Sequence, residues 1–164
     1  MDKLWAPWRI EYIRNGIQNK DSSCFFCDYQ KTEDEDQENL VLYRGERNFV
    51  LMNYYPYNNG HLMVAPYLHT GELSDLDSGT KLEMMELVDE SCKILRKKMQ
   101  AEGFNTGLNI GSVAGAGVDD HLHMHIVPRW QGDTNFMPVL GHTKVISEGL
   151  LATWKNLKTE FDKI

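Results

Sequence analysis

A ten-residue stretch, HLHMHIVPRW at positions 121–130, constrains this chain more than any other part of its sequence. His121, His123 and His125 occupy alternate positions, and the residues between them are apolar. Side chains of a β-strand point alternately to its two faces. We therefore predict a strand over 121–128 that presents three imidazoles on one face and an apolar surface on the other.

Two chemical interpretations of the three histidines remain open. A single histidine is commonly a surface residue or a core residue with its hydrogen bonds satisfied, but three in strict alternation on an apolar strand are poorly explained that way. The strand either supplies metal ligands, as histidines do in zinc enzymes, or carries a neutral imidazole that attacks phosphorus as a nucleophile. The ordinary histidine pKa of about 6.5 leaves the ring largely neutral at pH 7.

A glycine-rich segment, NIGSVAGAGVDD at 109–120, comes immediately before the histidines. Main-chain N–H groups of such a loop are unobstructed and can cradle phosphate oxygens. No Gly-Lys-Ser/Thr follows, so this is not a Walker A loop. Next to three histidines, the segment favours phosphate chemistry over a plain flexible turn.

The remaining patterning predicts an α+β fold. Its sheet is antiparallel, with about five strands, and it is accompanied by a long central helix and a C-terminal helix. The four further strands are LVLYR (40–44), NFVLMN (48–53), GHLMVAPY (60–67) and NTGLNIG (105–111). The central helix runs from Leu73 to about Ala101, and its apolar positions are Leu76, Leu82, Met85, Val88, Cys92, Leu95 and Met99. The second helix covers 148–164.

Length and charge limit the classes of protein that fit. The 164 residues suffice for one domain with a sizeable core, and the net charge of −7 argues against a nucleic-acid partner or an anionic membrane surface. We expect no membrane span, because no apolar run approaches about 18 residues, and no signal peptide, so the protein is expected to be cytoplasmic. Three cysteines in a reducing compartment indicate burial or metal binding rather than a disulfide framework.

The segment 121–127 resembles the signature of the histidine triad (HIT) superfamily, His-φ-His-φ-His-φ-φ with φ apolar. Upstream, 48–66 resembles the superfamily's strand–turn–strand, with a histidine directly after the turn glycine. The tails 4–13 and 128–146 resemble a narrower bacterial branch, the diadenosine tetraphosphate phosphorylase-like proteins. The resemblance implies a HIT-like fold, a single HIT domain over 1–164 with short N- and C-terminal extensions, and a homodimer formed through an extended sheet.

The resemblance also implies roles for individual residues. His123 would be the nucleophile that takes up a nucleoside monophosphate, His125 would contact phosphate oxygens and the leaving group, and His61 would support the triad as a fourth histidine. The other implied nucleotide-binding positions are Asn53 near the ribose and Asn109, Gly115 and Gly117 at the phosphates.

This chain departs from the family pattern at one position. Many members have glutamine four residues before the first triad histidine, where this chain has Gly117. Ser112 and Asn135 are candidates to replace its polar contact. Arg129, Asn135 and Lys144 are either phosphate contacts or surface residues, Trp5, Trp8 and Trp130 are core or dimer-packing residues, and His142 has no assigned partner.

Cys24 and Cys27 form a C-x-x-C pair in SSCFFCD. Alone, the pair is compatible with redox activity or with two buried thiols, because a zinc site needs two more ligands. Galactose-1-phosphate uridylyltransferases and some bacterial triad proteins hold zinc with such a pair, a histidine at the position of His69 and the first triad histidine, here His121. The resemblance thus implies a structural zinc and no organic cofactor. Cys92 lies on the long helix and is predicted to be a core residue.

The implied activity is nucleotidyl transfer from dinucleoside polyphosphates through a nucleotidyl-histidine intermediate on His123. Inorganic phosphate is the favoured acceptor. Water as acceptor would make the protein a hydrolase of dinucleoside polyphosphates or nucleoside phosphoramidates. A zinc enzyme that uses the triad as ligands and a non-catalytic nucleotide-binding module are the alternatives from other classes.

Overall fold

A computed structural model describes residues 24–133 and 146–164. These residues form a five-stranded antiparallel sheet in the order β1-β2-β3-β5-β4. The strands are β1 Val41–Arg44, β2 Asn48–Met52, β3 Leu62–Pro66, β4 Gly103–Leu108 and β5 Met124–Arg129. The helices are α1 Phe25–Tyr29, α2 Ser78–Met99 and α3 Leu150–Phe161, with short 3-10 turns at Glu33–Glu35, Leu73–Asp75 and Ser112–Ala114. The predicted α+β class and the antiparallel sheet are confirmed.

The two faces of the sheet bury separate apolar clusters. Leu62 and Ile126 are opposite each other on β3 and β5 and belong to the larger cluster, which α2 and α3 cover. Met63 and His125 form the next pair and therefore point to the other face. There, Met63 packs in a smaller cluster with Phe26 of α1. Helices α2 and α3 thus occupy one side of the sheet, and the short helix α1 shares the other side with the histidines.

Helix α2 begins five residues later than predicted. Asp77 caps it, because its carboxylate accepts the Thr80 N–H at 2.7 Å. Leu73 belongs instead to a separate 3-10 turn. Five of the seven predicted apolar positions lie in the core or pack against it, but Leu82 is 61% and Met85 54% exposed. The stripe that packs on the sheet consists of Met84, Leu87, Val88, Ser91, Ile94 and Leu95.

Helix α3 is fastened to the edge strand β1. The Trp154 indole N–H donates to the Val41 carbonyl at 2.9 Å, and the Lys158 ammonium donates to the Leu42 carbonyl at 3.0 Å. At its C-terminal end, Glu160 accepts from Lys97 of α2 at 2.6 Å and from Lys163 at 2.7 Å. These contacts tie the C-terminal helix to both the sheet and the long helix.

The turn between β2 and β3 depends on Gly60. Its φ is +73°, and a Cβ added there would lie 2.6 Å from the Met99 sulfur. Only glycine combines this left-handed conformation with so close an approach. The turn places His61 at the start of β3 with its side chain completely buried.

Strand β5 begins three residues later than predicted. The regular β3–β5 pairing ends at Val64 and Met124, and the Leu122 N–H donates to the Thr70 carbonyl at 2.7 Å. His121 and His123 therefore precede the strand, although both side chains remain buried. Within 24–133 and 146–164, no helix has the length and apolar character that crossing a membrane requires.

Candidate functional site

His123 is held in one tautomer by the main chain. Its Nδ1 lies 2.9 Å from the carbonyl oxygen of His121. Since a carbonyl oxygen only accepts, Nδ1 carries the hydrogen and the Nε2 lone pair is free. Burial lowers the pKa of His123 below its ordinary value, against the opposing effect of the carbonyl. Burial therefore favours a neutral imidazole, and the hydrogen bond to the carbonyl leaves its Nε2 without a hydrogen.

A chain of hydrogen bonds also determines the tautomers of His61 and His125. The Tyr57 N–H donates to His61 Nδ1 at 3.0 Å, so the hydrogen of His61 is on Nε2. His61 Nε2 lies 3.0 Å from His125 Nδ1, which must accept. The hydrogen of His125 is consequently on Nε2, and this group is a donor toward the ligand side of the site.

Two asparagines flank this chain of histidines. The Asn53 side-chain nitrogen lies 3.4 Å from His61 Nδ1, and its oxygen accepts the Tyr55 N–H at 2.8 Å. The Asn109 side-chain nitrogen lies 3.3 Å from His125 Nε2, so a hydrogen on Nε2 finds an acceptor in Asn109 only with the oxygen and nitrogen of that amide exchanged. Both asparagines named from the sequence thus lie beside the histidines.

A cavity of about 340 Å³ opens beside His123 and His125. This volume lies in the range of small-molecule sites, about 300–1,000 Å³. Three of the predicted nucleotide-binding residues, Asn53, Gly115 and Gly117, line it. Its apolar wall was not predicted and comes from Phe25, Phe26, Tyr29, Leu51, Met63 and Val118. The two phenylalanines inside the C-x-x-C pair were the signal that could have revealed this wall.

The glycine-rich loop contributes its later half to the cavity. The N–H groups of Ala114 and Gly115 donate to carbonyls within the loop, at 3.1 and 3.0 Å. Gly117 and Val118 follow and line the cavity. Ser112, a candidate for the missing glutamine contact, is not among the lining residues.

Cys24, Cys27, His69 and His121 form a second cluster, whose ligand atoms all lie within 4.8 Å of one another. His121 Nδ1 lies 3.3 Å from the Cys24 sulfur, 3.6 Å from the Cys27 sulfur and 3.3 Å from His69 Nδ1. Tetrahedral zinc with bonds of about 2.3 Å to sulfur and about 2.0–2.1 Å to nitrogen has edges of about 3.4 Å between nitrogens and about 3.6 Å between nitrogen and sulfur. The donor set and its spacing therefore fit zinc.

The surroundings of the cluster favour the binding of a cation. His121 Nε2 lies 2.9 Å from the Pro66 carbonyl, so its hydrogen is there and Nδ1 is free to bind metal. His69 Nε2 lies 3.5 Å from an Asp120 carboxylate oxygen. Burial raises the pKa of the Cys24 thiol to about 11, so a thiolate at this position requires a compensating positive charge.

The two groups of residues are in contact but do not overlap. The Phe26 ring centroid lies 4.9 Å from those of both His121 and His123. Among the described residues, the cluster that could hold a metal includes His121 but neither His123 nor His125. The three histidines are therefore divided: the first lies with Cys24, Cys27 and His69, and the other two line the cavity.

The remaining predicted residues have other surroundings. Arg129 pairs with Asp133 at 2.6 Å and donates to Asn105 at 2.9 Å. The Trp130 indole N–H donates to the Met99 carbonyl at 3.1 Å, and the ring packs against the core. Trp5, Trp8, Asn135, His142 and Lys144 lie outside the described residues.

An antiparallel sheet that presents alternating histidines to a small-molecule cavity points to one class of protein. The HIT domain family matches residues 34–132, and the chain belongs to this family. An AP-4-A phosphorylase of Mycobacterium tuberculosis is 37% identical over 165 residues, covering 98% of this chain and 85% of the relative. A bis(5'-nucleosyl)-tetraphosphatase (asymmetrical) of Schizosaccharomyces pombe is 28% identical over 113 residues, covering 69% and 62%. The crystal structure of a zinc-bound histidine triad family protein of Mycobacterium smegmatis matches with a TM-score of 0.68 and 24% identity, covering 86% of this chain and 94% of that one.

Proposed function

We propose that the protein transfers nucleotidyl groups from dinucleoside polyphosphates, and that His123 carries the covalent intermediate. The observation that carries this proposal is the hydrogen bond from His123 Nδ1 to the His121 carbonyl. It leaves a neutral Nε2 beside the cavity without the need for a separate base. A neutral imidazole in a fixed orientation is a competent nucleophile at phosphorus.

The reaction proceeds in two displacements. His123 Nε2 attacks the α-phosphorus of diadenosine tetraphosphate, the bond from that phosphorus to its bridging oxygen breaks, and ATP leaves. An oxygen of inorganic phosphate then attacks the same phosphorus, the bond to Nε2 breaks, and ADP is released. The sum is diadenosine tetraphosphate plus phosphate giving ADP plus ATP, and His123 returns to its initial state.

Other residues of the cavity stabilise the charge that develops. His125 Nε2–H donates to the leaving oxygen, and the main chain at Gly117 with the side chain of Asn109 contacts the non-bridging oxygens. Asn53 binds the ribose, and the apolar wall accepts the base. Positioned donors of this kind commonly supply the largest part of the rate enhancement in phosphoryl transfer.

We propose that zinc occupies the cluster of Cys24, Cys27, His69 and His121. Bound there, zinc joins the N-terminal segment to the chain just before β5 and takes no part in the displacement. The metal-ligand interpretation of the whole triad is disfavoured, because His123 donates its Nδ1 hydrogen to a carbonyl and lies outside the cluster.

Phosphate is the proposed acceptor because the chain is 37% identical, over nearly its whole length, to an AP-4-A phosphorylase. Water is the alternative, favoured by the likeness to a tetraphosphatase over 69% of the chain. We further propose a single HIT domain with short terminal extensions and a homodimer through the edge strand β4. Asn105, Thr106 and Gly107 of that strand are exposed.

Product analysis by chromatography tests the proposal. Zinc-loaded protein is incubated with diadenosine tetraphosphate, with and without inorganic phosphate, beside a His123→Gly variant. ADP plus ATP formed only with phosphate is the expected result, and free imidazole is expected to restore nucleotide cleavage to the glycine variant. AMP plus ATP in both tubes would make the protein a hydrolase. Equal product formation by wild type and by His123→Gly without imidazole would refute the covalent role of His123.

A further inference from the structure

Helix α1 connects the metal cluster to the cavity. Cys24 directly precedes this five-residue helix and Cys27 lies within it. Three other residues of the same segment, Phe25, Phe26 and Tyr29, line the cavity. One short segment thus supplies half of the metal ligands and much of the apolar wall.

Helix α1 is held by one buried aromatic ring and by its two cysteines. A helix of five residues is far too short to be stable alone, and no side chain caps its N-terminus. Phe26 is completely buried and contacts the rings of Phe49, His121 and His123, and the Tyr29 carbonyl accepts from Arg44 at 2.7 Å. On either side of Phe25 and Phe26, Cys24 lies 3.3 Å from His121, and Cys27 lies 3.3 Å from His69. Because two neutral thiols and two imidazoles bind one another weakly, a shared cation is what makes these contacts strong.

We propose that Cys24 and Cys27 are positioning residues for the nucleobase. Metal held by them with His69 and His121 fixes α1, and α1 in turn fixes the wall formed by Phe25, Phe26 and Tyr29, so metal loading controls affinity for the base of the bound nucleotide. This inference rests on the proposed function, because it takes a nucleotide as the occupant of the cavity.

The effect is confined to the base end of the ligand. At the phosphate end, hydrogen bonds hold His123 to the His121 carbonyl and His125 to His61, and neither bond involves α1. The α1 side chain that contacts the His123 ring is Phe26, which the core cluster of the sheet also holds. Loss of an aromatic stacking partner lowers affinity by about tenfold or more per base. A ligand without a base gains nothing from the wall and is insensitive to the order of α1.

The test compares zinc-loaded, chelator-stripped and zinc-reloaded full-length protein. AMP and ribose 5-phosphate are titrated into each, and hydrogen exchange is measured for the peptide that contains α1. On stripping, we expect AMP affinity to fall at least about tenfold and ribose 5-phosphate affinity to stay within about twofold. Exchange in α1 should rise while the strands remain protected, and reloading zinc should restore all three readouts.

Two variants separate the wall from the metal. Phe25→Ala should keep its zinc yet lose the preference for AMP over ribose 5-phosphate, because the wall is cut back while the ligands remain. Cys92→Ser removes the cysteine of α2, which is outside the cluster, and should behave as wild type.

Three results would overturn the inference. Equal AMP affinity with and without zinc would show that the wall does not depend on metal. Loss of protection throughout the sheet on stripping would make the metal a support of the whole fold rather than of α1. Absence of AMP binding in the zinc-loaded form would refute the proposed function as well. The first two results would leave the proposed function intact, so the two failures can be told apart.

Discussion

The hydrogen bond between His61 and His125 gives a quantitative prediction. If His61 acts by holding His125 with its Nε2 hydrogen toward the ligand, substitutions at the two positions must be strongly coupled. The perturbations are His61→Phe, which keeps the ring volume but removes both nitrogens, and His125→Gln. Each is made singly, and the two are then combined.

The expected magnitudes follow from the contacts. Removing one positioned donor to a transition state costs about 10²–10³ in kcat, which is the effect expected for His125→Gln. His61 contributes one hydrogen bond of 3.0 Å to His125. Such a bond contributes about 1 kcal/mol, or roughly fivefold to tenfold in rate. In the His125→Gln background that bond is already gone, so His61→Phe should change the rate less than about twofold.

Initial rates of diadenosine tetraphosphate cleavage with phosphate measure this cycle. AMP affinity should stay within about threefold in His61→Phe, because His61 is not among the residues that line the cavity. His61→Phe loses its bonds to Tyr57 and His125 and should lower the free energy of unfolding by about 2 kcal/mol. Thermal unfolding therefore has to establish that each variant is folded at the assay temperature. A fivefold to tenfold effect of His61→Phe in both backgrounds would refute the mechanism, since it would show that His61 acts independently of His125.

Two further predictions concern stability. Gly60→Ala should lower the free energy of unfolding by about 1–3 kcal/mol, because Gly60 has a left-handed φ and an added Cβ would lie close to the Met99 sulfur. The matched control is Gly107→Ala, because a Cβ added there meets nothing within 4 Å. In the same denaturant titration, the control should stay within about 0.5 kcal/mol of wild type. Hydrogen bonds from Lys163 and Lys97 lower the pKa of Glu160 from 4.5 to about 2, so its ionised form stabilises the fold above about pH 4.5, and this contribution is lost as the pH falls toward 2. The stability difference between wild type and Glu160→Gln should therefore be constant near neutral pH and shrink below pH 4.5; a difference that stays the same down to pH 2 would contradict this account.

The strand of histidines could be predicted because the two-residue period of a strand determines the face on which each side chain lies. Once His121, His123 and His125 were assigned to one face, the residues between them had to pack on the other. The structure agrees for His125 and Ile126, which point to opposite faces of β5. The start of the strand could not be read from this pattern, because the Leu122 N–H leaves the regular ladder for Thr70.

The apolar stripe of α2 was predicted correctly at five of seven positions. Leu82 and Met85 were assigned to it wrongly, because they fit a helical period as well as Met84 and Leu87 do, and only packing on the sheet distinguishes them. Helix α1 was missed for a different reason. Five residues are too few to show a period, so the two phenylalanines between the cysteines were the signal that its sequence offered.

His121 serves the two parts of the site through different atoms. Its imidazole faces His69 and the two cysteines of the cluster, whereas its main-chain oxygen accepts the Nδ1 hydrogen of His123. Every amino acid carries that oxygen, so a change of residue type at position 121 alters the metal cluster directly but retains the acceptor for the reacting ring. The backbone conformation thus determines the tautomer of the proposed nucleophile, His123. Replacing the amide between residues 121 and 122 with an ester would directly weaken the His121 carbonyl as a hydrogen-bond acceptor. Side-chain substitution at this position therefore tests the proposed metal binding, while the backbone still determines which nitrogen of His123 carries the hydrogen.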